Sequence, residues 1–423
     1  MNVELINTGT ELMLGRVLNT HQQWLCRRLA DLGYVVTRQV AVADSSQEIE
    51  QAAREALGRA DLVVTTGGLG PTSADLTREC LARMLGRSLR EDLGVRARLE
   101  DFFKTRGRAM PERTRVQAMV PEGAVVLSNA RGTAPGLALE VAPNRFRDGG
   151  RPSWLILLPG PARELRPMFD EVLAPLLARV LPPAGVFVCR TLRTTGIGES
   201  LVEEAVAGPL QDLVKAGLDL GYCARPGQVD VRLAATGARA REWVDEAERI
   251  VTRLLGPRIY GAGEEELEAV VVGRLTSQGR TLALAESCTG GCIANRVTNV
   301  PGASAVLLAG LVTYSNEAKR KFLGVRAETL AQHGAVSEAV AREMAEGARR
   351  ETGADYALSV TGIAGPAGGT DAKPVGTVFV GLAGPSSTVV ERYFNPYDRE
   401  TFKQVTAQQA LDLLRRTLPF DIP

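Results

Sequence analysis

Thr281-Leu-Ala-Leu-Ala-Glu-Ser-Cys-Thr-Gly-Gly291 decides how the second half of this chain is read. The apolar run from Leu282 to Ala285 has the length of a buried strand. The chain breaks at Glu286–Gly291 and resumes as an apolar-periodic helix through Ile293 and Val297. A hydroxyl on a sharp strand-to-helix turn is exposed, and the amides that open the next helix can hold an anion. Serine nucleophiles and phosphate cradles are built this way. The same residues also fit a plain turn in which Ser287 caps the helix. Which reading holds depends on what shares the sheet with this strand.

Working outward, further strands are expected at 305–313, 356–361, 376–382 and 387–394. A terminal helix carries Ala407, Ala410, Leu411 and Leu414 at i, i+3, i+4 and i+7. The N-terminal part alternates in the same way. Strands at 3–9, 34–42, 61–66 and 155–158 interleave with helices at 19–32, from 45 onward and at 162–179. Ser45-Ser-Gln-Glu48 reads as a capping box ahead of the stripe Ile49, Ala52, Ala53, Ala56 and Leu57. This spacing implies parallel sheets covered by helices. The polar stretch Ala142–Ser153 reads as a solvated hairpin or loop.

Leu181-Pro-Pro-Ala-Gly185 and Gly256–Gly263 read as boundaries around a smaller α+β segment, with strands at 186–194 and 228–235 and helices at 199–215 and 238–255. The fold class is therefore α/β: two parallel-sheet α/β domains, 1–180 and 261–423, joined by a small α+β domain at 181–260.

Composition narrows the function. Lys plus Arg is 50 against 49 for Asp plus Glu, and a net charge of +1 gives no global pull toward nucleic acid or an anionic membrane. No apolar run approaches the ~18 residues of a membrane span, and Met1-Asn-Val-Glu4 is not a signal sequence, so a cytoplasmic protein is expected. The six Cys form no CxxC, and with only His21 and His333 a His-rich metal site is excluded.

Ligands of open α/β sheets sit at the carboxyl ends of strands. In the first domain Glu11, Asp44 and Asp75 each follow a strand end, where carboxylates can hold a hard divalent cation. The Gly67–Gly70 loop there can admit a phosphate. Each acid also suits a helix cap, and neither GxGxxG nor a Walker GK[ST] is present. In the last domain Ser287 needs a base. The candidates are His333 and a buried lysine, Lys319, which shares a helix face with Ser315 and Asn316 just after Tyr314. Thr361-Gly-Ile-Ala-Gly-Pro-Ala-Gly-Gly369 supplies a second Gly-rich loop, open enough for a phosphate or ribose.

Gly9-Thr-Glu-Leu-Met-Leu-Gly15 and Thr65–Thr77 resemble the N-terminal motifs of the CinA family, whose first domain shares its fold with molybdopterin-binding proteins. Ala285–Gly291, Tyr314–Lys319, His333–Ser337, Thr361–Pro366 and Lys373–Gly376 resemble that family's C-terminal domain, in the family's order. The middle segment, including Thr194-Thr-Gly-Ile-Gly-Glu-Ser200, resembles its KH-like connector, though no basic-flanked GXXG loop is evident.

The resemblance implies a C-terminal nicotinamide-nucleotide amidase that hydrolyses NMN to nicotinate mononucleotide and ammonia without a cofactor. Ser287 would be the nucleophile, Lys319 the base and Tyr314 its assistant. Backbone amides of Thr289, Gly290 and Gly291 would serve the oxyanion or the phosphate, and Thr361, Gly362, Ala364 and Gly365 would line the nucleotide site. For the first domain it implies an ADP-ribose pyrophosphatase with a divalent metal ion. The matching positions are Glu11, Asp44, Gly68 and Asp75, with Asp44 and Asp75 as candidate metal ligands. Family members carry two adjacent Asp where this chain has Ala74-Asp75, which puts that activity in question. A homodimer is implied, with no membrane or nucleic-acid partner. The competing expectations are a competence- or DNA-damage-associated adaptor and a molybdopterin-binding protein.

Overall fold

The computed structural model describes residues 1–183 and 185–418; Ala184, inside the expected linker, lies outside the described residues. The chain forms two compact units, one of residues 1–188 with 236–238, the other of 189–235 with 239 onward.

In the first unit Val3–Thr8 (β1), Val36–Val42 (β2) and Leu62–Thr66 (β3) are followed by the short pair Leu89–Glu91 (β4) and Met119–Pro121 (β5). Val125–Leu127 (β6), Gly136–Val141 (β7) and Ser153–Leu158 (β8) complete the strands. The main sheet runs β2-β1-β3-β8-β7-β6. β2, β1, β3 and β8 are parallel, whereas β7 and β6 join antiparallel. The short β6–β7 and β7–β8 connections leave no room for a crossover helix, which is why that edge is antiparallel. Leu5, Leu62 and Val64 pack on one side with the helix Thr20–Asp31 and the helical run 162–180. Ile6, Val63 and Leu155 pack on the other with the helices Ser46–Leu57 and Thr77–Leu85.

One local expectation is corrected. Ser45 is the N-cap but its side chain makes no capping bond, so the capping box does not form. The turn Ala142–Ser153 is the largely exposed connection of the β7–β8 hairpin, as expected, but two of its polar side chains anchor it. Asn144 and Arg147 are buried, with Asn144 donating to Leu57 O (2.8 Å) and Arg147 paired to Asp61 (2.7 Å). Their polar atoms find partners at a helix end and a strand start, which makes burial tolerable.

The middle segment contributes Phe187–Thr195 (β9), Asp219–Arg225 (β10), Gln228–Thr236 (β11) and Ile259–Ala262 (β12), ordered β10-β11-β9-β12. The helix Ala240–Leu255 lays Val244, Ala247 and Val251 into its core. Two of these strands escaped the sequence reading. In β10 apolar and polar residues alternate weakly, and β12 lies inside the Gly256–Gly263 stretch taken as a boundary. Its Tyr260 is buried and donates to Gln228 (2.5 Å). The turn Ala207–Leu210 between the two short helices holds no Lys or Arg.

Leu282–Glu286 (β13), Leu307–Val312 (β14), Tyr356–Gly362 (β15), Thr377–Ala383 (β16) and Thr388–Phe394 (β17) form the last sheet, ordered β14-β13-β15-β16-β17. The first three strands are parallel; β16 and β17 fold back as an antiparallel meander. Along β13, Leu282 and Leu284 face the helices Leu267–Ser277 and Arg399–Thr417. Ala283 and Ala285 face the helix Glu338–Thr352 and Leu323. The small alanines let that second helix approach closely. At Gly347 a Cβ would collide with the carbonyl oxygen of Leu323, so glycine is required where the helices Asn316–Leu323 and Glu338–Thr352 meet. No helix of the described residues is long and apolar enough to cross a membrane.

Candidate active site

β13 lies between β14, which follows it in the chain, and β15, on its other side, so its carboxyl end opens at a switch point of the sheet. The backbone fixes that end firmly. Ser287 N donates to Val360 O (3.0 Å) and Thr313 N donates to Glu286 O (2.8 Å), tying the loop to both neighbouring strands. Gly290 and Gly291 follow with positive φ of 60° and 93°, turning the chain into the helix Cys292–Thr298.

Glu286 is 1% exposed, and its carboxylate accepts from Gly291 N (3.0 Å), Ile293 N (3.1 Å) and Ala294 N (2.8 Å). The amides that open this helix are therefore already satisfied by an internal anion. The expected donor set is corrected accordingly. Gly291 N serves Glu286 and Gly290 N serves Ser287 O. The amides of Cys288 and Thr289 instead lie against the Cys288 sulfur, a weak acceptor.

Ser287 is 8% exposed and Lys319 1%. Lys319 Nζ donates to Ser287 Oγ at 2.9 Å, to Thr313 O at 2.8 Å and to Tyr314 O at 3.4 Å. Its helix, Asn316–Leu323, is capped by Ser315 Oγ, which accepts from Ala318 N at 3.0 Å. No carboxylate among the described residues pairs with Lys319, so burial pulls its pKa below that of an ordinary lysine, with Cys288 acting weakly the other way. Cys288 is itself buried, and burial pushes its thiol up to about 12. It stays protonated and is no rival nucleophile.

The other expected residues fall around this pair. Tyr314 is exposed, and its phenol accepts from Arg399 (2.7 Å) rather than meeting Ser287 or Lys319; only its carbonyl touches the amine. Arg399 also donates to Gly365 O (2.8 Å), so one guanidinium ties the loop after β14 to the loop after β15. Thr361 is buried with its hydroxyl on Ala335 O (2.8 Å), Ala364 is buried, and Gly365 turns with φ 71°. His333 ends the helix Ala327–His333, exposed to solvent, and it is Lys319 that contacts Ser287.

In the first domain the structure makes two separate associations. Thr10 N donates to Asp44 (2.9 Å) and Asp44 N to Thr10 Oγ1 (3.2 Å), beside the exposed Glu11. Asp75 takes Gly70 N (2.9 Å), Thr72 N (2.9 Å) and Thr72 Oγ1 (2.5 Å), so it clamps the Gly-rich turn rather than capping the helix after it. At Gly68, φ is 67° and a Cβ would collide with Thr77, so only glycine fits. Asp75 has both oxygens engaged, and no three of His, Cys, Asp or Glu among the described residues are grouped to hold a metal. These side chains alone do not make a resident metal site.

Three family models match successive parts of the chain: the "Probable molybdopterin binding domain" over 4–179, the damage-inducible protein CinA KH domain over 189–261, and the CinA C-terminal domain over 264–418. A CinA-like protein of Kosmotoga olearia is 42% identical over 421 residues, 99% of each chain. This chain belongs to the CinA family. A CinA-like protein of Akkermansia muciniphila is 44% identical over 412 residues, 97% of this chain and 96% of its own. A solved competence/damage inducible protein from Agrobacterium tumefaciens is 40% identical, spanning 36% of this chain and 92% of its own, with a TM-score of 0.35.

Within this CinA-family chain, residues that sequence reasoning passed over complete the site. Glu286 was visible only as part of a motif, because a carboxylate that caps from the preceding strand has no fixed spacing to the helix it serves. Arg399 lies 85 positions from Tyr314, and no local pattern announces it. Lys403, one turn further along the same helix, has its Nζ 3.9 Å from where a Cβ on Gly290 would lie. Two cations on one helix face thus border the Ser287 loop.

Proposed function

We propose that this protein hydrolyses the carboxamide of nicotinamide mononucleotide, giving nicotinate mononucleotide and ammonia, through its last domain (261–423). The observation that carries this reading is the 2.9 Å bond between Lys319 Nζ and Ser287 Oγ, in a buried setting without a carboxylate partner. Burial lowers the pKa of Lys319, so it holds a larger share of free amine than an ordinary lysine at the same pH, which favours a general base. Ser287 Oγ attacks the carboxamide carbon as Lys319 takes its proton. The carbonyl oxygen becomes an oxyanion, for which the amides of Cys288 and Thr289, held only by the weakly accepting Cys288 sulfur, are the nearest candidate donors. Collapse of the adduct expels the amide nitrogen, protonated by Lys319, as ammonia. Water then attacks the acyl-serine, its proton passing through Lys319 to Ser287 Oγ, and the carboxylate is released. Arg399 and Lys403 supply positive charge for the substrate phosphate. Ammonia release from NMN by the wild type and by Ser287→Ala tests the reading: turnover close to wild type in the variant rejects Ser287 as nucleophile.

In the same reading the first domain (1–180) is an ADP-ribose pyrophosphatase. The Gly67–Gly70 turn, held open by Asp75, supports a phosphate there. Mg²⁺-type ions are commonly held by one or two carboxylates together with substrate phosphates. A divalent ion would thus enter with the pyrophosphate beside Asp44. The match of residues 4–179 to the molybdopterin-binding family favours a pterin as the alternative occupant. ADP-ribose hydrolysis with and without added Mg²⁺ separates the two; no hydrolysis in either condition removes the pyrophosphatase assignment.

A further inference from the structure

The motif Thr194–Ser200 takes no part in either activity, yet it lines a cavity of about 720 Å³ inside the second unit, away from Ser287 and Lys319. One wall is the turn from β9 into the helix Glu199–Val206, the opposite wall is the end of β17 with Tyr397, and the floor comes from Val405, Gln409 and Asp412 of the terminal helix. We propose that this cavity binds a nucleoside monophosphate, as a second ligand site distinct from the one at Ser287.

Size comes first: the volume falls within the range of small-molecule pockets and far exceeds what a lone inorganic anion fills. Next is an apolar, ring-accepting side. Phe394 and Tyr397 line the cavity while remaining 58% and 51% exposed, unusual for aromatic side chains with nothing else to cover them. Opposite them the site offers anion donors. Arg258 lines the cavity and has no acidic partner among the described residues. Arg225 also lines the cavity and adds positive charge, with its terminal nitrogens held by Asp230 and Glu266. Gly196 turns with φ 70°, and the helix that follows begins at Gly198 without any side-chain cap, so its first amides are also unclaimed. Between the two ends, Glu391 and Asp412 share Arg416 and keep lone pairs for hydroxyl donors such as those of a ribose. Ring, sugar and phosphate therefore each meet a matching surface.

The cavity wall also continues along the chain into the segment that carries Arg399. Asn395 N donates to Gly376 O (2.8 Å), anchoring the loop that follows β15, and Arg399 lies two residues beyond Tyr397. Occupancy would brace the segment that carries Arg399. The binding claim itself does not depend on the amidohydrolase reading.

Hydrogen–deuterium exchange of the full chain with AMP tests the proposal, because protection is localised to segments and is independent of turnover at either other site. Saturating AMP is expected to slow exchange at least threefold in both 196–201 and 394–397. Arg258→Glu and Tyr397→Ala, both exposed positions whose replacement leaves the core intact, are expected to abolish that protection. Inorganic phosphate at the same concentration is expected to leave 394–397 unchanged. Three results would overturn the assignment: no protection in these segments with AMP, protection unchanged in both variants, or equal protection by phosphate alone.

Discussion

Lys319→Met removes the amine while keeping an unbranched chain of similar length in a position only 1% exposed. The wild-type amine is held at 2.9 Å from Ser287 Oγ and 2.8 Å from Thr313 O, so the variant leaves Ser287 with no base in contact. Positioned general bases contribute about 10²–10⁴-fold, or about 2.7–5.4 kcal/mol of transition-state stabilisation. A loss of that size in kcat/KM for ammonia release from NMN is expected. The pH dependence supplies a second readout. Burial lowers the Lys319 pKa below the ordinary lysine value of 10.5, so kcat/KM should rise with pH along a limb that lies below 10.5. Across the window between the lowered native pKa and 10.5 the unfolded chain holds a proton that the native chain has released. Stability should therefore also rise with pH there, and that increment should vanish in Lys319→Met. A variant keeping more than a tenth of wild-type kcat/KM, or a wild-type limb centred at or above 10.5, refutes the reasoning.

Other perturbations follow from the same geometry. Glu286→Ala leaves three buried amides without an acceptor and should lower stability by about 3 kcal/mol, read from the denaturant midpoint; an unchanged midpoint would show that water replaces the carboxylate. Gly347→Ala forces a methyl group against Leu323 O at the end of the helix carrying Lys319. A stability loss of about 1–3 kcal/mol is expected, together with a fall in kcat larger than any change in KM. Arg399→Ala should raise KM for NMN about tenfold, as for the loss of one charge-assisted contact, while kcat changes less. A kcat collapse at constant KM would instead place Arg399 or its partner Tyr314 in the chemistry. Arg147→Ala strands Asp61 beside a buried turn and should cost about 1–3 kcal/mol by thermal melting, without touching ammonia release.

Much of the architecture was legible because its determinants are local. The strand at 282–286 and the helix after it follow from one apolar run and one pair of glycines, and the helix carrying Lys319 from the Ser315 cap. β12 was lost because four residues between glycines carry too little pattern to outweigh a turn signal. Asp75 and Ser45 show the limit of capping rules: the residue types were right for a cap, but donors of the preceding Gly-rich turn claimed Asp75, and Ser45 formed no bond. The Ser287–Lys319 contact was reachable by elimination, since scarcity of histidine left few bases. Arg399 was not reachable in that way, because its partners Tyr314 and Gly365 come together only when the sheet is assembled.

The carboxylate of Glu286 has one more implication, for selectivity. A helix start beside a serine is ordinarily open to any small anion, and sulfate or free phosphate would then compete with substrate. Here the amides of Gly291, Ile293 and Ala294 have a permanent covalent tenant, so ambient anions find no vacancy at that helix start. In the amidase reading, recognition of the phosphate falls to Arg399 and Lys403. NMN would then enter with its pyridinium ring leading and its phosphate trailing, an orientation favoured by the already occupied helix start.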